Sequence, residues 1–517
     1  MGILLKCIKI KLFLTSVLEK PLINTPKRIA FGFSLSSLPL LERLKASNHV
    51  DQIFISDRSG FLFEEKASGL IQSMPKAFLK DNWHKKNQLI FIGSIGAVVR
   101  LISPFVSSKE NDPAILVMDS KAKNIIPILG GHKQGGDRFA NELSAALEAE
   151  AIFTSDSFIE RKISLDCFGK GWGWERGGDN VDWRNLMIRQ AREQKNVVFQ
   201  SKGSKLWHKL KACSNFSFLE KNDHKSPENV DLYIGQKKNS ICSWHPSSII
   251  IGIGCERNTD EKLIQRAINE SFSEKGLSLL SIACIATIDK KNDEIGLLNL
   301  SKKNEWPIYF FSALQLSKVK VPTPSNVVLK EMGTPSVAEA AAISKGAESG
   351  RLIQEKQIHY AKEDEVGAVT IALVELDKPF APHKGELHLI GSGPGKLEML
   401  TSDSRQALTR CAAWIGYGPY LNYLETIRRH DQVRIDSELT FEKDRCQHAL
   451  DLAKQGARVA LISSGDSGIY GMAGLALELW LEESVESRPL FQVHPGISSF
   501  QMAAAKLGAP FMHDFCS

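Results

Sequence analysis

Short, near-continuous apolar runs alternate with helical stretches along most of this chain, the pattern of α/β domains. The runs at 52–56 (Gln-Ile-Phe-Ile-Ser), 89–93, 114–118 and 125–129 have almost no polar positions. Such runs are expected where strands are covered on both faces. From about 156 to 243 the pattern is less regular, with Gly-Trp-Gly-Trp at 171–174 and a polar stretch from Lys221 to Pro227. This middle part reads as a smaller, partly exposed insert or linker domain. A second α/β unit opens on Ser-Ile-Ile-Ile-Gly-Ile-Gly at 248–254 and ends on the apolar run 368–374. The segment 377–385 has two prolines, a glycine and no apolar period, so it reads as a linker. The strand–turn–helix pattern then resumes. The expected division is an extension 1–28, domains 29–155, 156–243 and 244–376, the linker 377–385 and a final unit 386–517.

The bulk properties narrow this picture. The chain has 517 residues, 43% hydrophobic and 24% charged, enough for three or four soluble globular domains. Its nine cysteines form no Cys-x-x-Cys pair, which argues against a zinc ribbon or a thioredoxin-type site. Scattered thiols suit a reducing cytosol. The net charge of +6 is compatible with ordinary solubility or with preference for a polyanionic ligand. No run of five like charges suggests a nucleic-acid arm. Lys6, Lys9 and Lys11 interrupt the N-terminal apolar run, so it is too short and too charged to span a bilayer.

The densest chemistry lies in the final unit. Leu387-His-Leu-Ile-Gly-Ser-Gly-Pro-Gly-Lys396 runs an apolar strand into a glycine turn. Its spacing is GxGxG, and Pro394 removes an amide that a phosphate-cradling turn would want, so it does not read as a dinucleotide site. Thr401 or Ser402 is a candidate N-cap for the next helix. Two similar blocks follow: Val459-Ala-Leu-Ile-Ser-Ser-Gly-Asp-Ser-Gly-Ile-Tyr-Gly-Met472 and Val493-His-Pro-Gly-Ile-Ser-Ser-Phe-Gln-Met-Ala-Ala-Ala505. Asp466 is either a ligand contact or a turn-capping aspartate.

Together these blocks, with Trp414-Ile-Gly-Tyr-Gly-Pro-Tyr420, resemble the tetrapyrrole methylase family and within it the precorrin-3B C17-methyltransferases. The resemblance implies an S-adenosyl-L-methionine site holding Gly393, Pro394, Gly465, Asp466, Ile469, Tyr470, Ser498 and Ser499. It also implies a tetrapyrrole substrate and a homodimer. Methylases of this family have a second lobe, and residues 386–517 match only the first.

Further upstream, Pro127-Ile-Leu-Gly-Gly-His-Lys-Gln-Gly-Gly-Asp-Arg-Phe-Ala-Asn-Glu-Leu143 leads an apolar strand into a Gly-Gly-His turn. The next helix carries Phe139, Leu143 and Leu147 on one face, leaving His132, Lys133 and Asp137 at the mouth of the strand. A second block, Ile251-Gly-Ile-Gly-Cys-Glu-Arg-Asn-Thr259, offers Arg257 as a carboxylate clamp or a surface charge. Cys255 is a nucleophile only if a base stands beside it, and Thr259 is a candidate helix cap. In a third block Ser336 and Glu339 have capping-box spacing. These blocks, with 93–102 and 112–117, resemble the cobalt-precorrin-5A hydrolase family over about 29–376. That family opens a δ-lactone on a corrin precursor and releases acetaldehyde, which implies His132 as candidate base and Arg257 as candidate clamp. No cobalt-ligand motif stands out; cobalt would arrive in the substrate. Both resemblances point to corrin-ring biosynthesis and to a bifunctional enzyme. The alternative is a hydrolase or tetrapyrrole-binding protein whose methylase lobe does not catalyse.

Overall fold

Apolar runs at 28–32, 52–56, 88–92 and 114–118 are buried almost throughout and form the parallel centre of the first sheet. The structure, a computed structural model, describes residues 26–59, 70–131, 134–153, 163–192, 194–219, 230–238 and 242–509. Two compact units divide the chain, Met1–Phe153 and Thr154–Ser517.

In the first unit, β1 (Arg28–Gly32), β2 (Gln52–Ser56), β3 (Leu70–Ser73), β4 (Gln88–Ile92), β5 (Ala114–Met118), β6 (Asn124–Leu129) and β7 (Glu150–Ala151) form one sheet. Its order is β3-β2-β1-β4-β5-β6-β7, parallel except where β6 meets β5. Leu41, Phe139 and Leu143 pack on one face; Phe31, Phe78 and Phe91 pack on the other. The expectation of full cover fails for β6, of which only Ile125 is buried. β7 pairs with Asn124 and Ile125 alone, so among the described residues the rest of β6 has an open edge. Pro127 is tolerated there because an open edge asks for no amide donor.

The second unit contains three sheets. The least regular stretch of sequence makes β8 (Glu175–Gly177), β9 (Asn196–Gln200), β10 (Phe216–Leu219), β11 (Leu232–Ile234) and β12 (Ser243–His245), in the order β10-β9-β11-β12-β8. Its core is aromatic, with Trp183, Trp207 and Trp244 fully buried, which is why no aliphatic alternation announces it. Next come β13 (Ile249–Cys255), β14 (Ile282–Ile288), β15 (Ile308–Phe311), β16 (Gly350–Tyr360) and β17 (Ala368–Leu376). They are ordered β15-β14-β13-β17-β16, with β16 and β17 antiparallel to their neighbours.

The last sheet is wholly parallel: β18 (Glu386–Gly391), β19 (Ala413–Tyr417), β20 (Val433–Ser437), β21 (Arg458–Ser463) and β22 (Leu490–His494) in the order β20-β19-β21-β18-β22. Residues 377–385, linker-like in composition, are held on both sides: the Phe380 amide donates to Ser247 O and the Ala381 amide to Lys454 O, and Lys384 pairs with Glu175 at 2.7 Å. Beside them Tyr309 Oη donates to Glu486 O at 2.8 Å, and the Lys345 ammonium lies 3.5 Å from the Tyr309 ring centroid. None of the seven described cysteines is in a disulfide. No helix among the described residues is long and apolar enough to cross a membrane.

Candidate functional site

The C-terminal ends of β18, β21 and β22 lie side by side, the position where parallel α/β sheets offer a ligand crevice. Glycine lets the three loops approach. A Cβ on Gly496 would lie 2.1 Å from Gly465 O and 2.7 Å from Gly391 O, so neither loop could close over a larger residue. Gly393 and Gly465 exchange backbone hydrogen bonds at 3.1 and 2.9 Å, both with positive φ, where a Cβ is penalised.

Asp466 ties this floor together. Oδ1 accepts from the Gly468 amide at 2.8 Å, and Oδ2 accepts from the Gly496 amide at 3.0 Å. The carboxylate thus caps its own turn and joins the β21 and β22 loops. Ser498 is the N-cap of the helix Ser499–Leu507, in a reciprocal capping box with Gln501. Thr401 caps the helix Ser402–Arg410.

Above this floor is a cavity of about 310 Å³ whose lining includes Tyr420, Glu442, Arg445, Gly465, Asp466, Ile469, Tyr470, Met472, Ser498, Ser499 and Phe500. Six of the expected cofactor residues therefore converge. Gly393 and Pro394 do not line the cavity; Gly393 braces its floor through Gly465. Tyr470, 87% exposed, stands at the rim with φ of 50°, a conformation uncommon outside glycine. Sequence reading missed Arg445 and Glu442. They lie on the helix Glu442–Lys454, outside the glycine-rich blocks, where a helical arginine looks like any surface charge. Tyr420, in the run Trp414–Tyr420, also lines the cavity and lies outside the expected cofactor set.

Beneath the loops runs a polar chain, buried at Glu386, His388 and His494 and ending on the exposed Asp403. His388 Nε2 meets Glu386 at 2.8 Å, His388 Nδ1 meets His494 Nε2 at 2.9 Å, and His494 Nδ1 meets Asp403 at 2.6 Å. Arg410 and Arg458 close it on the far side of Glu386. Burial opposes ionisation of Glu386, yet His388 and the two guanidinium groups hold its carboxyl down at about 2. Burial also lowers His388, against the pull of Glu386.

The hydrolase candidates are more dispersed. His132 and Lys133 lie outside the described residues. On either side of them the Gly136 and Asp137 amides donate to Gly130 O and Gly131 O, and Asp137 is buried in the first turn of the helix Gly136–Leu147. Phe139, Leu143 and Leu147 of that helix are buried as expected. Arg257 is exposed at the end of β13, its guanidinium donating to Asp293 and to Lys290 O. Burial pushes the Cys255 thiol up to about 11, which leaves it protonated and a poor nucleophile at neutral pH.

Two capping expectations are corrected. The helix Glu261–Glu274 starts at Asp260, while the Thr259 hydroxyl turns back to Glu256 O. Ser336 Oγ does accept from the Glu339 amide at 3.4 Å, but Val337 holds the N-cap position of the helix Ala338–Gly346 and the Glu339 carboxylate accepts from Thr323 and from the Lys356 amide, so only half of the box forms. Burial at this helix end makes those unpaired donors the better use of the carboxylate.

Comparison with known proteins matches three family profiles: Cobalamin synthesis G N-terminal over residues 77–157, Cobalamin synthesis G C-terminus over 249–374, and Tetrapyrrole (Corrin/Porphyrin) Methylases over 386–517. A cobalt-precorrin-5A hydrolase of Priestia megaterium is 32% identical over 284 residues, 52% of this chain and 75% of that protein. A probable cobalt-factor III C(17)-methyltransferase of Salmonella typhimurium is 43% identical over 130 residues, 25% of this chain and 53% of that protein. A precorrin-3B C(17)-methyltransferase of Sinorhizobium is 35% identical over 134 residues, 26% of this chain and 52% of that protein. The chain thus spans about half the length of these two methyltransferase relatives.

Proposed function

The chain belongs to the cobalt-precorrin-5A hydrolase family and continues into a tetrapyrrole methylase domain, and from that premise we propose a bifunctional enzyme of corrin-ring biosynthesis. One activity opens the lactone of cobalt-precorrin-5A with release of acetaldehyde. The other methylates C17 of precorrin-3B or cobalt-precorrin-3 with ring contraction.

The observation that carries the second activity is the glycine-floored cavity at the ends of β18, β21 and β22. Its size falls at the lower end of small-molecule sites, and its floor is backbone drawn close by glycines a Cβ would wedge apart. These features fit S-adenosyl-L-methionine, a polar, flexible ligand recognised through backbone groups. Bound there, the cofactor supplies an electrophilic methyl group. The chain's task is then positioning, since methyl displacement needs the reacting atoms aligned in line more than it needs acid or base. Gly465 and Ile469 present backbone, Ser499 presents a hydroxyl at a helix start, and Asp466 keeps the two loops in register.

For the hydrolase, His132 is the proposed base that activates water, and Arg257 the proposed clamp for a substrate carboxylate. Arg257 would have to exchange Asp293 for that carboxylate, which its exposed position permits. Dimeric assembly and a cytoplasmic setting complete the proposal; light scattering reads the first.

The decisive assays are product assays. Acetaldehyde release from cobalt-precorrin-5A tests the hydrolase. Incubation with S-adenosyl-L-methionine and cobalt-precorrin-3 tests the methyltransferase. Absence of a methylated product from folded protein that binds S-adenosylhomocysteine leaves the second activity refuted and points to a hydrolase joined to a binding lobe.

A further inference from the structure

Arg445 is 4% exposed and lines the cavity. Its three hydrogen bonds all go to neutral acceptors: Nε to Ser437 Oγ, Nη2 to Glu438 O, and Nη1 to the Met472 sulfur at 3.3 Å. Sulfur is a weak acceptor, so the Nη1 edge is the under-used one. Among the described residues no carboxylate lies within ion-pairing distance of it. The two acidic residues of the cavity wall do not neutralise it: Glu442 makes no ion pair with it, and both oxygens of Asp466 accept loop amides. Arg445 also sits one turn into the helix Glu442–Lys454, at the end where the helix dipole disfavours a cation.

A buried charge without a counter-ion is costly. A buried guanidinium opening on a cavity is an arrangement suited to an incoming anion, and its planar fork matches a carboxylate. We propose that Arg445 is the anion-recognition residue of this cavity and binds a ligand carboxylate. The proposal rests on the reading of the cavity as a cofactor and tetrapyrrole site. Two ligands carry that chemistry: the methionyl carboxylate of the cofactor, and an acetate or propionate arm of the macrocycle.

Calorimetry on the full chain separates them. The probes are S-adenosylhomocysteine, its decarboxylated analogue S-adenosyl-3-thiopropylamine, 5′-methylthioadenosine and uroporphyrin III. If Arg445 takes the cofactor carboxylate, decarboxylation weakens binding to the unmodified protein by about ten- to a hundred-fold, the worth of a charge-assisted hydrogen bond. In Arg445→Met the two adenosyl amines then bind alike. If it takes a macrocycle arm, decarboxylation changes nothing, uroporphyrin III loses about ten-fold or more in Arg445→Met, and Arg445→Lys recovers part of it. The proposal is overturned if Arg445→Met binds S-adenosylhomocysteine and uroporphyrin III as the unmodified chain does. Parallel loss of S-adenosylhomocysteine and 5′-methylthioadenosine, with uroporphyrin III binding unchanged and no effect of decarboxylation, also overturns it by assigning a structural role. An unmodified chain that binds uroporphyrin III through Arg445 but no adenosyl ligand refutes the cofactor reading alone. One that binds neither class refutes both.

Discussion

Glu386→Gln should destabilise the final sheet, because glutamine keeps one acceptor oxygen for His388 but loses the charge and turns an amide NH2 toward the guanidinium groups of Arg410 and Arg458. The carboxylate is 6% exposed and lies 2.9 Å from Arg410 and 3.2 Å from Arg458. Behind it His388 and His494 link the carboxylate to Asp403. Glu386 is therefore the anion that balances two guanidinium groups. Its carboxyl is drawn down from an ordinary 4.5 to about 2, which by linkage is worth roughly 3 kcal/mol. A depressed carboxyl gives stability that is full above pH 4.5 and lost as pH falls toward 2. His388, lowered by burial, adds to acid lability: below about pH 6.5 the unfolded chain binds more protons than the folded one. Urea unfolding with pulsed hydrogen exchange, read by mass spectrometry on β18 and β21 peptides, isolates this sheet from the other three. The expected loss in Glu386→Gln is about 2–3 kcal/mol at pH 7, the lower figure allowing for partial hydration of both arginines. That loss should shrink as pH is lowered from 5 to 3. A difference under about 0.5 kcal/mol at pH 7, or one that does not shrink in acid, refutes the electrostatic account.

The glycine-rich blocks were legible in sequence because strand, turn and helix start each leave a local mark: apolar run, glycine, capping serine or threonine. Ser498 and Thr401 are caps for that reason. What residues do across elements was not legible. Asp466 could be named as cap or ligand contact, but its bond to Gly496 depends on β21 and β22 flanking β18, which no local pattern states. Arg445 and the His388–His494 pair escaped for the same cause: 27 residues separate Arg445 from Met472, and 106 separate the histidines. The tryptophan sheet shows a different limit. A core of few large side chains has too little periodicity to read, so its stretch resembled a partly exposed insert. Glu339 shows a third: a local rule met a competing buried donor set, and the tertiary contact won.

Three further outcomes follow from the same geometry. Gly496→Ala should abolish S-adenosylhomocysteine binding in calorimetry, by well over ten-fold, while the far-ultraviolet dichroism persists, because the new Cβ meets Gly465 and Gly391 backbone that has no rotamer to yield. Cys255→Ala should release acetaldehyde from cobalt-precorrin-5A at the unmodified rate, since a thiol pushed up to about 11 is inert at pH 7; a loss of rate beyond about ten-fold with intact fold would return Cys255 to the chemistry. Tyr309→Phe tests how the last two sheets are joined. The ring under Lys345 stays, so the change removes only the bond to Glu486 O, worth about 1 kcal/mol. Amide exchange across residues 483–490 should then quicken roughly five-fold; unchanged exchange would mean that the contacts of residues 377–385 alone hold this junction.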